Sequence, residues 1–280
     1  DSCRYHSAIL CSALKQPAFI SPASLIMSTG NPKSHVRKKV SDPFFKIFTL
    51  GCKVNQYESQ EIRERLLESG WREAGKGNKA GLYVVNTCTV THKADRDSLY
   101  FVRRSHRENP RAAIAVTGCM AESDADILAA EPGVRFVIKN SDKSKLACRV
   151  TARPGSLRND GVSFFEGRTR AFLKIQDGCN NFCSYCKVPL VRGISRSKKL
   201  DEIVAEARRL VDNGYREIVL TGICLGEYGR DLKSGVSLAT VIEHLERIEG
   251  LWRIRLSSIE AKDVSDNLIR KLAESGKLCP

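Results

Sequence analysis

No run of apolar residues in this chain approaches the roughly 18 in succession that a membrane-spanning helix requires, so a spanning helix is excluded. Acidic side chains are also in short supply, 32 against 46 lysines and arginines, which leaves a formal net charge of +14. Such an excess favours a polyanionic partner, of which nucleic acid is the usual one, although solubility alone is served by the same charge. Histidine is scarce at five residues, and a structural zinc site normally draws on Cys and His at matched spacing. Methionine occurs only at Met27 and Met120, and the chain does not begin with it. Translation is therefore expected to start at Met27, which would leave residues 1–26 outside the natural protein and Cys3 and Cys11 without a role.

Cysteine, by contrast, is plentiful: eleven residues, an odd count. A secreted disulfide scaffold would be short and its cysteines evenly paired. This chain has 280 residues and 42% hydrophobic content, enough core for two ordinary domains without staples. Reduced thiols that serve metal chemistry in the cytoplasm fit the composition better.

Residues 1–43 have no period of either kind and read as a disordered lead with a short basic run at Arg37-Lys38-Lys39. From Phe45 the pattern alternates strand-like and helix-like segments. Strands are predicted at 45–50, 82–86, 112–117 and 135–138, and helices at 58–69, 95–107 and 124–130. That alternation over 44–146 predicts an α/β domain built on a small parallel sheet. Residues 147–167, with Pro154-Gly155 and Asn159-Asp160-Gly161, read as a polar linker. From residue 168 to 280, strands at 171–176, 217–221 and 252–256 alternate with helices at 200–213, 238–248 and 264–275. This is the repetition of a parallel βα barrel, of which about half is present, with its last strand edge expected to be unpaired.

Two sets of cysteines stand out. Cys52, Cys88 and Cys119 each end a predicted strand and precede a helix. Strand ends of an open parallel sheet share one edge, where ligands bind, so three thiols distant in sequence are expected to meet there around a metal cluster. The alternative is three independent core cysteines. The second set, Cys179, Cys183 and Cys186, has C-x3-C-x2-C spacing on a loop after the strand at 171–176. Three such thiolates can close around a four-iron cluster and leave one iron open. A zinc knuckle or three unrelated thiols are the alternatives, and the nearest histidines, His106 and His244, are remote from the loop.

The segment Gly178-Cys179-Asn180-Asn181-Phe182-Cys183-Ser184-Tyr185-Cys186, followed by Pro189, Arg192-Gly193 and Arg196-Ser197, resembles the signature of the radical S-adenosylmethionine (SAM) methylthiotransferases. Lys187 departs from it, where a small or apolar residue is expected. The amino-terminal half resembles the same family at Leu50–Ser59, Asn86–Val90 and Thr117–Ala121. The form Gly51-Cys52-Lys53-Val54-Asn55-Gln56 resembles the branch acting on N6-threonylcarbamoyladenosine in tRNA, ahead of the isopentenyladenosine and ribosomal-protein branches.

The resemblance implies an α/β protein with a truncated radical SAM barrel and two 4Fe–4S clusters. Cys179, Cys183 and Cys186 would hold the cluster that cleaves SAM, and Cys52, Cys88 and Cys119 an auxiliary cluster carrying the sulfur to be inserted. The backbone at Thr221-Gly222 would bind the SAM amino group, and Tyr185 would lie beside the adenine or pack its loop against the barrel. The reaction implied is 2-methylthiolation of a modified adenosine beside the anticodon, with a second SAM as methyl source. The partners would be the anticodon stem-loop and an electron donor. Further barrel strands and an RNA-gripping β domain would follow in the family, so the chain reads as a fragment.

Cys224 is read as incidental. Glu260 is read as catalytic or as paired with Arg253 or Arg255, and Arg103 with Arg107 as either a phosphate-facing pair or a solvated helix face. An electron-transfer module and a zinc-dependent RNA-binding module remain as alternatives from other classes.

Overall fold

Strands buried on both faces read as near-continuous apolar runs, and β3 (Leu82–Thr87) and β4 (Ala113–Gly118) are buried at every position. In the computed structural model, which describes residues 43–151 and 161–279, these two strands form the centre of a five-stranded parallel sheet. Around them run β1 (Phe44–Thr49), β2 (Arg72–Glu73) and β5 (Val134–Ile138), in the order β2-β1-β3-β4-β5. The pleat sends successive side chains to opposite faces. Leu82 and Val84 accordingly join Phe45, Ile62 and Leu66 in one core, while Tyr83 and Val85 join Val102, Ile114 and Leu128 in another.

The helix α1 (Lys53–Glu68) begins five residues before the expected Glu58. Its first turns bury the polar Asn55, Glu58, Ser59 and Gln60 alongside Val54 and Tyr57, so the apolar period there is diluted by inward-facing polar residues. The helix α2 (His92–Glu108) likewise starts before the expected Asp95. Thr91 caps it, its Oγ accepting the Ala94 N–H at 3.1 Å. The helix expected at 124–130 is present as α4 (Ala125–Ala129), and a further short helix, α3 (Cys119–Ser123), precedes it.

The expected linker is partly ordered structure. The helix α5 (Leu146–Thr151) occupies its first part and buries Leu146, Ala147 and Val150 in the first core. At its far end Val162 and Phe165 are buried in the core of the second half. The lead expected at 1–43, Pro43 apart, falls outside the described residues, as do Cys3, Cys11 and Met27.

The second half is a four-stranded parallel sheet of β6 (Ala171–Lys174), β9 (Glu217–Thr221), β10 (Arg253–Leu256) and β11 (Leu278–Cys279), in the order β11-β10-β9-β6. The helices α7 (Leu200–Asp212), α8 (Leu238–Glu246) and α9 (Asp266–Glu274) connect these strands. The β10 edge, expected to be bare, pairs with β11 through Ile254↔Leu278 and Arg255↔Cys279. The expected strand at 171–176 ends at Lys174. Beyond it β7 (Gln176–Asp177) turns away to pair antiparallel with β8 (Arg196–Ser197), and the intervening loop contains α6 (Val188–Arg192).

Candidate functional site

The ends of β1, β3 and β4 lie in register, with Thr49 beside Asn86 and Asn86 beside Thr117. Cys52, Cys88 and Cys119 therefore emerge at one end of the sheet. All three line one cavity of about 420 Å³, together with Arg192, Thr221 and Gly222 of the second half. Cys88 and Cys119 are buried and Cys52 is exposed. Asn55 ties the strand ends together, its side-chain amide donating to the carbonyls of Leu50 at 2.7 Å and Thr87 at 3.0 Å. Ser98 Oγ accepts the Cys88 N–H at 3.3 Å and donates to the Cys88 carbonyl at 3.0 Å.

Burial pushes the Cys88 thiol above its ordinary pKa and the nearby Cys119 and Cys52 add to this, against hydrogen bonds from the Val90 and Thr89 backbone. Three soft donors converging on one cavity suit an iron–sulfur cluster or a thiophilic metal, since the thiolate is the ligand form.

The approach is close enough to require glycine. At Gly118 (φ +97°) an added Cβ would lie 2.3 Å from the Thr87 carbonyl oxygen. Gly118→Ala is expected to cost about 1–3 kcal/mol from backbone conformation alone, with the clash in addition. It should lower the thermal midpoint and render Cys119 reactive to thiol reagents. An unchanged midpoint with Cys119 still protected would show that the β4 end has slack.

The second cysteine set sits on the loop after β7. Gly178 (φ +75°) is also obligatory, because a Cβ there would stand 2.0 Å from the Ile194 carbonyl oxygen. The loop is pinned to its own return: the Cys179 N–H donates to Gly193 O at 3.1 Å and the Ser195 N–H to Asn180 Oδ1 at 2.9 Å. Cys186 N–H donates to Cys183 O at 2.9 Å, which draws the last two cysteines into one turn. Cys183 is exposed, and Cys179 and Cys186 are half-buried.

Buried Gln176, missed by sequence reasoning, joins this loop to the end of β9. Its Nε2 donates to Gly178 O at 2.8 Å and its Oε1 accepts the Cys224 N–H at 2.9 Å. A Cβ at Gly222 would come within 2.8 Å of that same Oε1.

Tyr185 is 89% exposed, so it does not pack its loop against the barrel. Cys224, expected to be incidental, has its Sγ within 4.8 Å of Cys179 Sγ and of a Glu227 carboxylate oxygen. Arg253 and Arg255 pair with Glu217, at 3.5 and 2.5 Å, rather than with the exposed Glu260. Arg103 is held bidentate by Glu131 at 2.6–3.0 Å, whereas Arg107 lies over the Tyr100 ring, so the two arginines do not present one uniform face.

The other feature unseen in the sequence is a buried ionic junction beside the cavity. Glu58 of α1 accepts from Arg192 at 2.6 and 3.1 Å, from Lys143 at 2.6 Å and from Lys174 at 2.9 Å. Glu58 and Arg192 are each only 3% exposed. Asp177 adds a second carboxylate, 3.3 Å from both Lys174 and Arg192. Burial alone would raise the Glu58 pKa; Arg192, Lys143 and Lys174 outweigh it and hold the carboxyl well below the usual range. Arg192 Nε has no hydrogen-bond partner among the described residues, and neither does Ser257 Oγ, although both residues line the cavity.

Residues 45–139 match the Uncharacterized protein family UPF0004, and residues 173–279 match the Radical SAM superfamily. Among curated proteins, the Threonylcarbamoyladenosine tRNA methylthiotransferase MtaB of Bacillus subtilis is 42% identical over 246 residues, covering 82% of this chain and 54% of that one. The protein of the same name from Chlamydia pneumoniae is 41% identical over 237 residues, covering 84% and 56%. The tRNA-2-methylthio-N(6)-dimethylallyladenosine synthase of Carboxydothermus hydrogenoformans is 31% identical over 259 residues, covering 86% and 59%. The chain thus spans a little over half the length of the curated relatives it matches.

Among solved structures, the radical S-adenosylmethionine methyltransferase TsrM from Kitasatospora setae, with cobalamin and a 4Fe–4S cluster bound, superposes with a TM-score of 0.52 at 13% identity. That match covers 84% of this chain and 59% of the other, and it establishes the fold alone. Both family models are matched in tandem, a UPF0004 region followed by a Radical SAM region, and the chain is similar through both halves to proteins named as tRNA methylthiotransferases.

Proposed function

We propose that this chain carries the two cluster-holding parts of a tRNA methylthiotransferase. The reaction is conversion of N6-threonylcarbamoyladenosine at position 37 to its 2-methylthio derivative. The observation that carries this reading is the shared cavity, which has Cys52, Cys88 and Cys119 on one wall and Thr221 and Gly222 on the other. A plain electron-transfer module has no need of a chamber between its metal ligands and a second set of strand ends.

In this reading Cys179, Cys183 and Cys186 hold one 4Fe–4S cluster and Cys52, Cys88 and Cys119 hold a second. The backbone at Thr221-Gly222 receives the amino group of SAM, and the exposed ring of Tyr185 is free to stack on its adenine. When bound, the clusters and SAM supply the one-electron chemistry and the sulfur that side-chain acid–base groups cannot. The protein's own contribution is placement. Gln176 locks the triple-cysteine loop to the β9 end through Gly178 and Cys224. Arg192 and Ser257 line the cavity together with the apolar side chains of Val54, Val90 and Ile223.

The choice of nucleoside rests on identity, 41–42% to relatives named for threonylcarbamoyladenosine against 31% to one named for dimethylallyladenosine. The net charge of +14 suits the phosphates of an anticodon stem. The reductant is a low-potential electron donor of the same compartment, which this reading takes to be the cytoplasm. Deleting the gene is expected to abolish the 2-methylthio derivative in a tRNA nucleoside digest while N6-threonylcarbamoyladenosine persists. An unaltered nucleoside profile would overturn the assignment.

A further inference from the structure

We propose that Cys179, Cys224 and Glu227 form a binding site for a thiophilic divalent cation of the zinc type. Its occupation and that of the cluster on Cys179 are mutually exclusive. The exclusion rests on the reading of Cys179 as a cluster ligand; the cation site itself does not.

One donor atom from each of the three residues lies within 4.8 Å of the other two. They come from separate segments, Cys179 from the loop after β7 and the other two from the turn after β9. Cys224 and Glu227 are 6% and 3% exposed, so their donors are already withdrawn from water. In a tetrahedral site with bonds of roughly 2.3 Å to sulfur and 2.0 Å to oxygen, ligand atoms stand roughly 3.5–3.8 Å apart. The group therefore has to contract by about 1.3 Å at most, within reach of side-chain rotations. Two sulfurs and one carboxylate select a zinc-like ion over magnesium or calcium, which take oxygen ligands.

The surroundings resemble an outer shell that orients ligands. The Asn180 N–H points to Glu227 Oε2 at 3.4 Å, Asn181 Nδ2 to Cys224 Sγ at 3.5 Å and the Asn181 N–H to Cys179 Sγ at 3.5 Å. A fourth position is open to water or to Asp263, whose Oδ2 is 3.7 Å from Cys224 Sγ. Binding releases the two thiol protons to solvent. Cys183 and Cys186 take no part, so one sulfur atom, Cys179 Sγ, is claimed by both sites.

Two anaerobic measurements on the cluster-free chain test this. Titrated with Co²⁺ as probe, a chain carrying Cys183→Ala and Cys186→Ala, which removes the competing thiol set on Cys179, should bind one more equivalent than the same chain with Cys224→Ala added, with additional thiolate-to-cobalt absorption. Glu227→Gln in that background should weaken the equivalent without removing the sulfur band. Equal stoichiometry and spectra with and without Cys224→Ala in that background would overturn the site, whatever the status of the clusters. In the second measurement, one equivalent of Zn²⁺ is added before iron and sulfide. Iron uptake should fall from about eight atoms to about four, and Cys224→Ala should restore it. Uptake that stays low in Cys224→Ala, or full uptake by zinc-loaded wild type, would overturn the exclusion. Zinc-free wild type is the separate control, since failure to reach about eight irons there counts against the two-cluster reading and not against the Co²⁺ result.

Discussion

Replacing Cys179, Cys183 and Cys186 together by alanine is expected to halve the iron of reconstituted protein, from about eight atoms to about four. The two cysteine sets are built on different parts of the chain, one on the ends of β1, β3 and β4, the other on the loop after β7. Alanines in that loop remove no packing from the five-stranded sheet, because the loop's fixation runs through backbone groups and through Gln176 and Asn180. The remaining iron should be accompanied by a matching amount of acid-labile sulfide and a single cluster signal in the reduced protein. Replacement of Cys52, Cys88 and Cys119 should leave the complementary half. If either triple variant lost all its iron, the cysteines would belong to one site and the division into two would be wrong.

Glu58→Gln is expected to be among the most destabilising single changes available to this chain, by about 3–5 kcal/mol, the range for removing one partner of a buried ion pair. The substitution preserves shape and removes only charge. It leaves Arg192 and Lys143 buried with a neutral amide in place of their shared carboxylate, and of the nearby acids only Asp177 reaches Arg192. Burial already pushes the Lys143 ammonium below its ordinary pKa, so that group gives up its proton more readily once the carboxylate is gone.

The pH dependence has a definite sign. The Glu58 pKa is depressed in the folded protein, so its contribution is fully present above the unfolded value of about 4.3. It is lost progressively as pH falls from there through the lower folded value. Urea unfolding should give a much lower midpoint for the variant at pH 7, and the gap from wild type should narrow on acidification below about pH 4. A gap that stayed constant down to the acid limit would mean that Glu58 acts through packing and not through charge.

The chain order of strands and helices was legible because apolar runs and glycine-ended strands are local signals, and Leu82–Thr87 and Ala113–Gly118 could hardly be read otherwise. So was the convergence of Cys52, Cys88 and Cys119, since parallel strands put their carboxyl ends on one edge. What escaped reading was polar and buried. The start of α1 was missed because Asn55, Glu58, Ser59 and Gln60 face inward, against the rule that links burial to apolarity. The Glu58 junction joins residues up to 134 positions apart, and no local pattern announces such a partner. Gln176 sits at the end of a predicted strand, where nothing distinguishes a linchpin from a solvated amide. Val162 and Phe165 were hidden in a segment whose average composition is that of a linker.

The cavity that holds Cys88 and Cys119 has one wall from each half of the molecule, and Arg192 of one half grips Glu58 of the other at its rim. In the proposed two-cluster reading, delivery of iron and sulfide to those two buried thiols would compete with closure of the seam. A chain that docks its halves first shields the thiols behind a junction that must be prised apart, whereas one loaded first folds shut over its cargo. If those thiols hold a cluster as proposed, weakening the Glu58 junction should hasten its loading even as it costs the finished protein stability.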